Sequence, residues 1–245
     1  MLDFMYKVSA FGDFTDIEPT PENMLFMVNS FKDYNMIPSI FQEMNMSITP
    51  QQIPVSVPLQ RLSIVSSDST EKILISSNRL DYEILSFDQK KLTKINEDNE
   101  RILNSFKIIF NYYKKSSNRL ALNTGSYIVN IDDRITKKFL SNFSNPIEFY
   151  KKDILDEWGT RLMIKDDISI CGKSEKLNVI TNINKAKIIN QETNMISDGF
   201  QIDIDINTIG ENSILRFNAD AFEEFINAAN LLKNKIFADI DKLLR

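Results

Sequence analysis

Asp203 and Asp205 stand two residues apart in the run Gly199-Phe200-Gln201-Ile202-Asp203-Ile204-Asp205-Ile206-Asn207. On a strand, residues two apart share a face, so Gln201, Asp203, Asp205 and Asn207 project from the side opposite Phe200, Ile202, Ile204 and Ile206. Two carboxylates on one face can hold a magnesium ion that keeps several of its waters. The same alternation is also what any half-buried strand with a wet outer face requires, and that simpler reading is preferred. A second acidic set is Asp81, Glu83 and Asp88, the last followed by Gln89 and Lys90. Asp-x-Lys is the tail of a magnesium-dependent nuclease motif in which the lysine steadies the attacking water. The tripeptide equally forms a polar turn leading to Lys91 and Lys94. The acidic doublets Asp132-Asp133, Asp156-Glu157 and Asp166-Asp167 point their side chains apart in extended chain and suit turns or caps.

Histidine is absent from the 245 residues, and the chain has a single cysteine, Cys171. Without histidine there is no Ser-His-Asp or Cys-His arrangement, no two-histidine metal site and no zinc deaminase centre. One cysteine allows no internal disulfide and no cysteine metal cage. Because Cys171 ends an apolar run, it is expected to be an inert buried thiol. The six glycines, at 12, 125, 159, 172, 199 and 210, are too dispersed for a phosphate-cradling loop. No cofactor and no resident metal are expected. Carboxylate chemistry with magnesium, lysine nucleophiles, or recognition without turnover remain.

The net charge of -5 is unevenly spread. Residues 1–60 carry seven acids and two bases, residues 61–152 sixteen bases and eleven acids, and residues 153–245 eleven bases and sixteen acids. Such blocks suit packing or a charged protein partner. They do not make the concentrated basic stripe that nucleic acid requires, and the lysine doublets at 114–115, 137–138 and 151–152 are the candidates for one. The first ten residues lack the features of a secretory signal, and no stretch approaches the ~20 apolar residues of a membrane span. A cytoplasmic protein without membrane contact is expected. For contact with a partner, the candidates are Met24, Met27 and Phe31, which recur at helical spacing, and Trp158, the only tryptophan.

These side chains need elements to hold them. Met5 to Phe14 reads as a strand. Thr20-Pro21-Glu22 starts a helix, with Thr20 as cap and Pro21 in the first turn, and the helix runs to about Tyr34. Pro50, Pro54 and Pro58 make residues 47–60 a loop or an irregular edge strand. A three-stranded meander is expected over Arg61 to Phe87 and a helix over Asn96 to Lys115. A strand over Leu120 to Ile131 and a helix over Asp133 to Phe143 follow, with a second short helix toward Lys152. Further strands are expected at Thr160 to Cys171, Leu177 to Ile189, Gly199 to Ile206 and Ser213 to Phe217. A long helix ends the chain, with Asp220 and Glu223 at capping-box spacing.

Strands that follow one another directly imply mostly antiparallel sheets, so the fold class is α+β with covering helices and a long C-terminal helix. The order of elements permits two similar halves, residues 1–118 and 119–245, although no repeat is visible in the residues. The stretch Arg61 to Leu85, the helix ending Phe110-Asn111-Tyr112-Tyr113, and the tail with Phe222-Glu223-Glu224-Phe225 and Ile236-Phe237-Ala238-Asp239 resemble a sporadically distributed family of uncharacterised bacterial proteins of similar length. That resemblance implies no assigned activity, and an accessory role in phage defence or toxin control. The leading expectation is a regulatory or protein-binding component, able to form a homo-oligomer, that works through a sheet face or a groove between halves. Two alternatives stand beside it: a magnesium-dependent nuclease or phosphotransferase built on the carboxylates, and a chaperone-like or antitoxin-like protein that shields an apolar partner segment.

Overall fold

The computed structural model describes residues 2–48, 54–86, 99–143, 148, 155–189 and 196–244. Its elements run β1 (Leu2–Phe11), α1 (Pro21–Phe31), β2 (Met36–Ile48), β3 (Pro54–Ser66), β4 (Glu71–Ile75), β5 (Arg79–Leu85) and α2 (Asn99–Tyr112). They continue with β6 (Arg119–Val129), α3 (Asp133–Phe143), β7 (Gly159–Ile170), β8 (Lys173–Ile189), β9 (Ile196–Thr208) and α4 (Ala219–Leu244). All nine strands join one antiparallel sheet in the order β2-β3-β4-β5-β1-β6-β9-β8-β7. In each run the first strand lies beside the last, β1 by β5 and β6 by β9, and the two first strands pair with each other at the middle of the sheet.

Alternation fixes which side of this sheet is buried. Ile64, Ile73, Tyr82, Val8, Leu122, Ile206 and Val179 stand in register across seven neighbouring strands, and all seven are buried. The four described helices pack over that face. The Phe106 ring of α2 stacks on Phe222 of α4 at 3.9 Å, and Phe139 of α3 stacks on Phe200 of β9 at 4.5 Å. Phe26 of α1 stacks on Tyr112 at 3.6 Å. Arg101 of α2 reaches Glu71 on the helix-facing side of β4 at 3.2 Å. The helices thus lock onto one another as well as onto the sheet.

Local chemistry explains most boundaries. Thr20 caps α1 by accepting the Asn23 N–H at 3.2 Å, with Pro21 behind it. The helix expected to reach Tyr34 stops at Phe31 and tightens into a 3-10 turn over Lys32–Tyr34, closed by Asn35 at φ 53. Of the loop or irregular edge strand expected over 47–60, the described residues 47–48 and 54–60 are strand. β2 was not foreseen, and β3 begins at Pro54 and pairs with β2 from Ile48 to Met36. The prolines are tolerated because β4 pairs only with Ser63 to Val65, so the rest of β3 has one free side that needs no second hydrogen-bond ladder. Pro50 and the short helix expected toward Lys152 lie outside the described residues.

Three further expectations are corrected. Cys171 is exposed, because it forms with Gly172 the two-residue turn between β7 and β8, at φ 49 and 73. Both values are positive, as in the turns whose twist suits a hairpin. Ser213 to Phe217 is no strand: Phe217 makes one isolated bridge to Ser117, and Arg216 is held by Glu175 at 2.9 Å and by neighbouring carbonyls. Finally, α4 is capped by Asn218, whose Oδ1 accepts the Ala221 N–H at 3.0 Å, which leaves Asp220 inside the first turn.

Two tests probe this packing. A Cβ on Gly199 would press into the Ile128 carbonyl oxygen and the Ile188 side chain, both fixed within the sheet. Gly199→Ala is therefore expected to lose about 1–3 kcal/mol of stability in urea denaturation. Tyr6 is buried under α4, where Asn230 donates to its hydroxyl at 3.1 Å. Burial, only partly offset by Asn230, raises its pKa to about 12. The unfolded phenol ionises near 10, so the folded state holds the proton longer, and the stability this confers is complete below pH ~10 and lost as pH rises toward 12. Between pH 9 and 11.5 wild type should lose on the order of 2 kcal/mol more than Tyr6→Phe.

Candidate functional site: the polar face of the sheet

The strand positions that do not face the helices make up the other side of the sheet, and among the described residues no helix lies on it. One row crosses all nine strands in register: Ile37, Val65, Lys72, Glu83, Lys7, Asn123, Asp205, Ile180 and Met163. Its middle is polar, and its ends, on edge strands β2 and β7, carry Ile37 at 62% and Met163 at 48% exposure. The next row places Ser63, Leu74, Asp81, Ser9, Ala121, Asn207, Asn178 and Lys165 side by side.

This geometry brings four of the sequence candidates onto one surface. Asp81 is fully buried: it accepts from the Ser9 hydroxyl at 2.6 Å, and its carboxylate lies 3.2 Å from Lys7 Nζ and 2.8 Å from Arg79 Nε. Glu83 sits 3.6 Å from the same Lys7 amine. Lys7 is therefore the hub that joins Asp81 and Glu83, and it escaped the sequence reading. The signal was present, since Lys7 and Ser9 alternate with Tyr6, Val8 and Ala10, as a two-faced strand demands.

Asp203 and Asp205 lie across β6 from that network, half-buried. Each carboxylate is engaged by an amide two residues along its own strand: Gln201 Nε2 lies 2.9 and 3.1 Å from the two oxygens of Asp203, and Asn207 Nδ2 lies 2.9 Å from Asp205. Asn178 in turn donates to Asn207 at 3.2 Å, and Asn182 faces Asp203 in register. The outcome is a ladder of amides and carboxylates. Among the described residues no group of three or more cysteines and carboxylates comes together as a metal cage. Asp88 and Lys90 lie outside the described residues.

The partner-contact candidates fall elsewhere. Met27 and Phe31 are wholly buried in the core, and Met24 packs partly buried against it. On α1 the exposed apolar residues are Leu25 and Val28 instead. Trp158 is 8% exposed, with its ring tilted on Phe200 at 5.5 Å. In this structure these three buried side chains hold the fold, and only rearrangement would present them to a partner.

At one end of the polar face an open cleft of about 710 Å³ is lined by Phe11, Asp13, Glu43, Asn78, Asn118 and Arg119, among others. Glu43 accepts from Ser77 N–H and Oγ at 2.9 and 2.6 Å, and pairs with Arg61 at 3.7 Å. Asp13 accepts from Thr15 Oγ1 at 2.6 Å and from its N–H at 3.0 Å, and these bonds lower its pKa below the usual carboxylate range. Comparison of the chain with protein-family models, with curated proteins and with solved structures gives no match in any of the three. No described helix is long and apolar enough to cross a membrane.

Proposed function

We propose that the protein is a non-enzymatic binding component that engages another protein across the polar face of its sheet. The observation that carries this reading is the row from Ile37 to Met163, a surface nine strands wide with apolar side chains at its two ends and directional polar groups between them. Interfaces combine these two elements, apolar anchors for affinity and fixed polar groups for register. The signs of charge favour protein over nucleic acid. Lys7, Lys72, Arg79, Arg119, Arg161 and Lys165 on this face are interspersed with Asp81, Glu83, Asp203 and Asp205, so the described residues form no unbroken basic stripe to follow a phosphate backbone.

Turnover is the weaker reading, because the carboxylates are already committed to amides, a hydroxyl and cations. On this view residues 1–118 and 119–245 act as two similar halves whose first strands join at the centre, giving the partner one continuous surface. An accessory bacterial role in phage defence or toxin control follows from the family resemblance alone.

The test is affinity capture from the native host, comparing wild type with Asp203→Lys/Asp205→Lys and with Leu231→Ser, a change on the exposed side of α4. The double variant is expected to recover a wild-type partner at least roughly tenfold less well, the ratio produced by about 1.4 kcal/mol, while Leu231→Ser recovers it fully. Equal recovery by wild type and the double variant, or loss with Leu231→Ser alone, would contradict the proposal.

A further inference from the structure

Arg119 opens β6 and lines the cleft at the end of the polar face. Its guanidinium lies over the Phe11 ring, 4.8 Å from the centroid, and its aliphatic stem runs beside Gly210, where an added Cβ would sit 3.5 Å from Cδ. The side chain is thus held between an aromatic plane and a residue without a side chain. Arg61, Arg79, Arg101 and Arg216 each hold a carboxylate. Among the described residues Arg119 has none, and its buried Nε–H has no acceptor. A buried donor without an acceptor is costly, and a planar cation fixed by stacking has already lost the freedom that binding would otherwise remove.

The acids nearby do not meet this need. Glu43 is held by Ser77 and Arg61, and Asp13 by Thr15. They act instead as fixed negative walls, which oppose a dianion more strongly than a monoanion. The guanidinium fork matches a carboxylate with two parallel hydrogen bonds. Asn78 and Asn118 add amide groups around the opening.

We infer that the cleft is a carboxylate-binding site with Arg119 as its anchor. It takes one carboxylate group, carried either by a free small acid or by a peptide. This inference is independent of partner binding across the polar face, since a small acid can occupy the cleft whether or not that face holds a protein.

The experiment is a titration of the full-length ¹⁵N-labelled protein, following the Arg119 Nε–H resonance and the Phe11 backbone amide. The probes are acetate, a short peptide with a free C-terminus, the same peptide amidated, and inorganic phosphate. A saturable shift with acetate and with the free-terminus peptide, absent with the amidated peptide and lost in Arg119→Gln, is expected. Saturation by the peptide at a tenfold lower concentration than acetate would assign the carboxylate to a peptide, and the reverse order to a free acid. Arg119→Lys keeps the charge but not the fork, and should weaken binding while leaving the fold intact. No saturable shift with any carboxylate, an unchanged response in Arg119→Gln, or a response to phosphate alone would overturn the assignment.

Discussion

Phe222→Ala is expected to lose about 3–5 kcal/mol of folding stability, the range for deleting a fully buried aromatic ring. Phe222 is completely buried and stacks on Phe106, so its ring is the point at which α4, from the last third of the chain, grips α2, from the middle third. Removing it opens a cavity between two helices that also pack on the sheet, and close-packed surroundings relax only in part. Chemical denaturation followed by circular dichroism should show a single transition at lower denaturant with an unchanged slope. Two separated transitions would mean that residues 1–118 and 119–245 unfold independently, contrary to a shared core. Phe106→Ala should behave in the same way, and the double variant should cost less than the sum, since the two rings share one contact.

Asp81→Ala should cost about 3 kcal/mol, at the low end for breaking a buried ion pair, because Lys7 and Arg79 retain some access to water. The carboxylate itself has none, and its loss leaves two cations and the Ser9 hydroxyl facing an empty site on β5. Asp81→Asn should be nearly as damaging, since a neutral amide cannot balance Lys7 and Arg79. Salt offers a second readout: a pair this buried is poorly screened, so 1 M NaCl should leave wild type close to its low-salt stability. If Asp81→Ala were as stable as wild type, Asp81 would hold no structural charge, and the acidic set on β5 would again be open to a catalytic reading.

How much of this was legible in the residues depends on the kind of signal. Strict alternation around Asp203 and Asp205 placed both on the solvent-facing side of a strand, and the structure puts them there. The meander from Arg61 and the helices with wide apolar stripes were equally plain, because period and turn residues agree. β2 was missed because Met36 to Ile48 is an edge strand at the end of the sheet, with apolar side chains exposed on both of its faces. Ile37 on one face and Ile40 on the other are both exposed, so no clean alternation is written. The prolines of β3 left loop and edge strand both open, since a strand paired on one side over most of its length can carry residues that a central strand cannot.

The site was less legible than the fold. Lys7 lies 74 residues from Asp81 in sequence, and only the pairing of β1 with β5 makes them neighbours. The cleft is more distant still from any local pattern, because Arg119 depends on Phe11 and Gly210, which β1 and the turn after β9 bring together from opposite ends of the chain. Met27, Phe31 and Trp158 show the converse. Methionine and aromatic residues fit a core and a contact surface equally well, and the fold uses these three for its core.

The most direct measurement is hydrogen–deuterium exchange of the protein with and without the partner recovered from its host. Binding through the polar face should slow exchange in peptides from β1, β6 and β9, which form the centre of the sheet, and leave the exposed side of α4 unchanged. Protection confined to α4 or α1, with the central strands exchanging at their free rates, would contradict it.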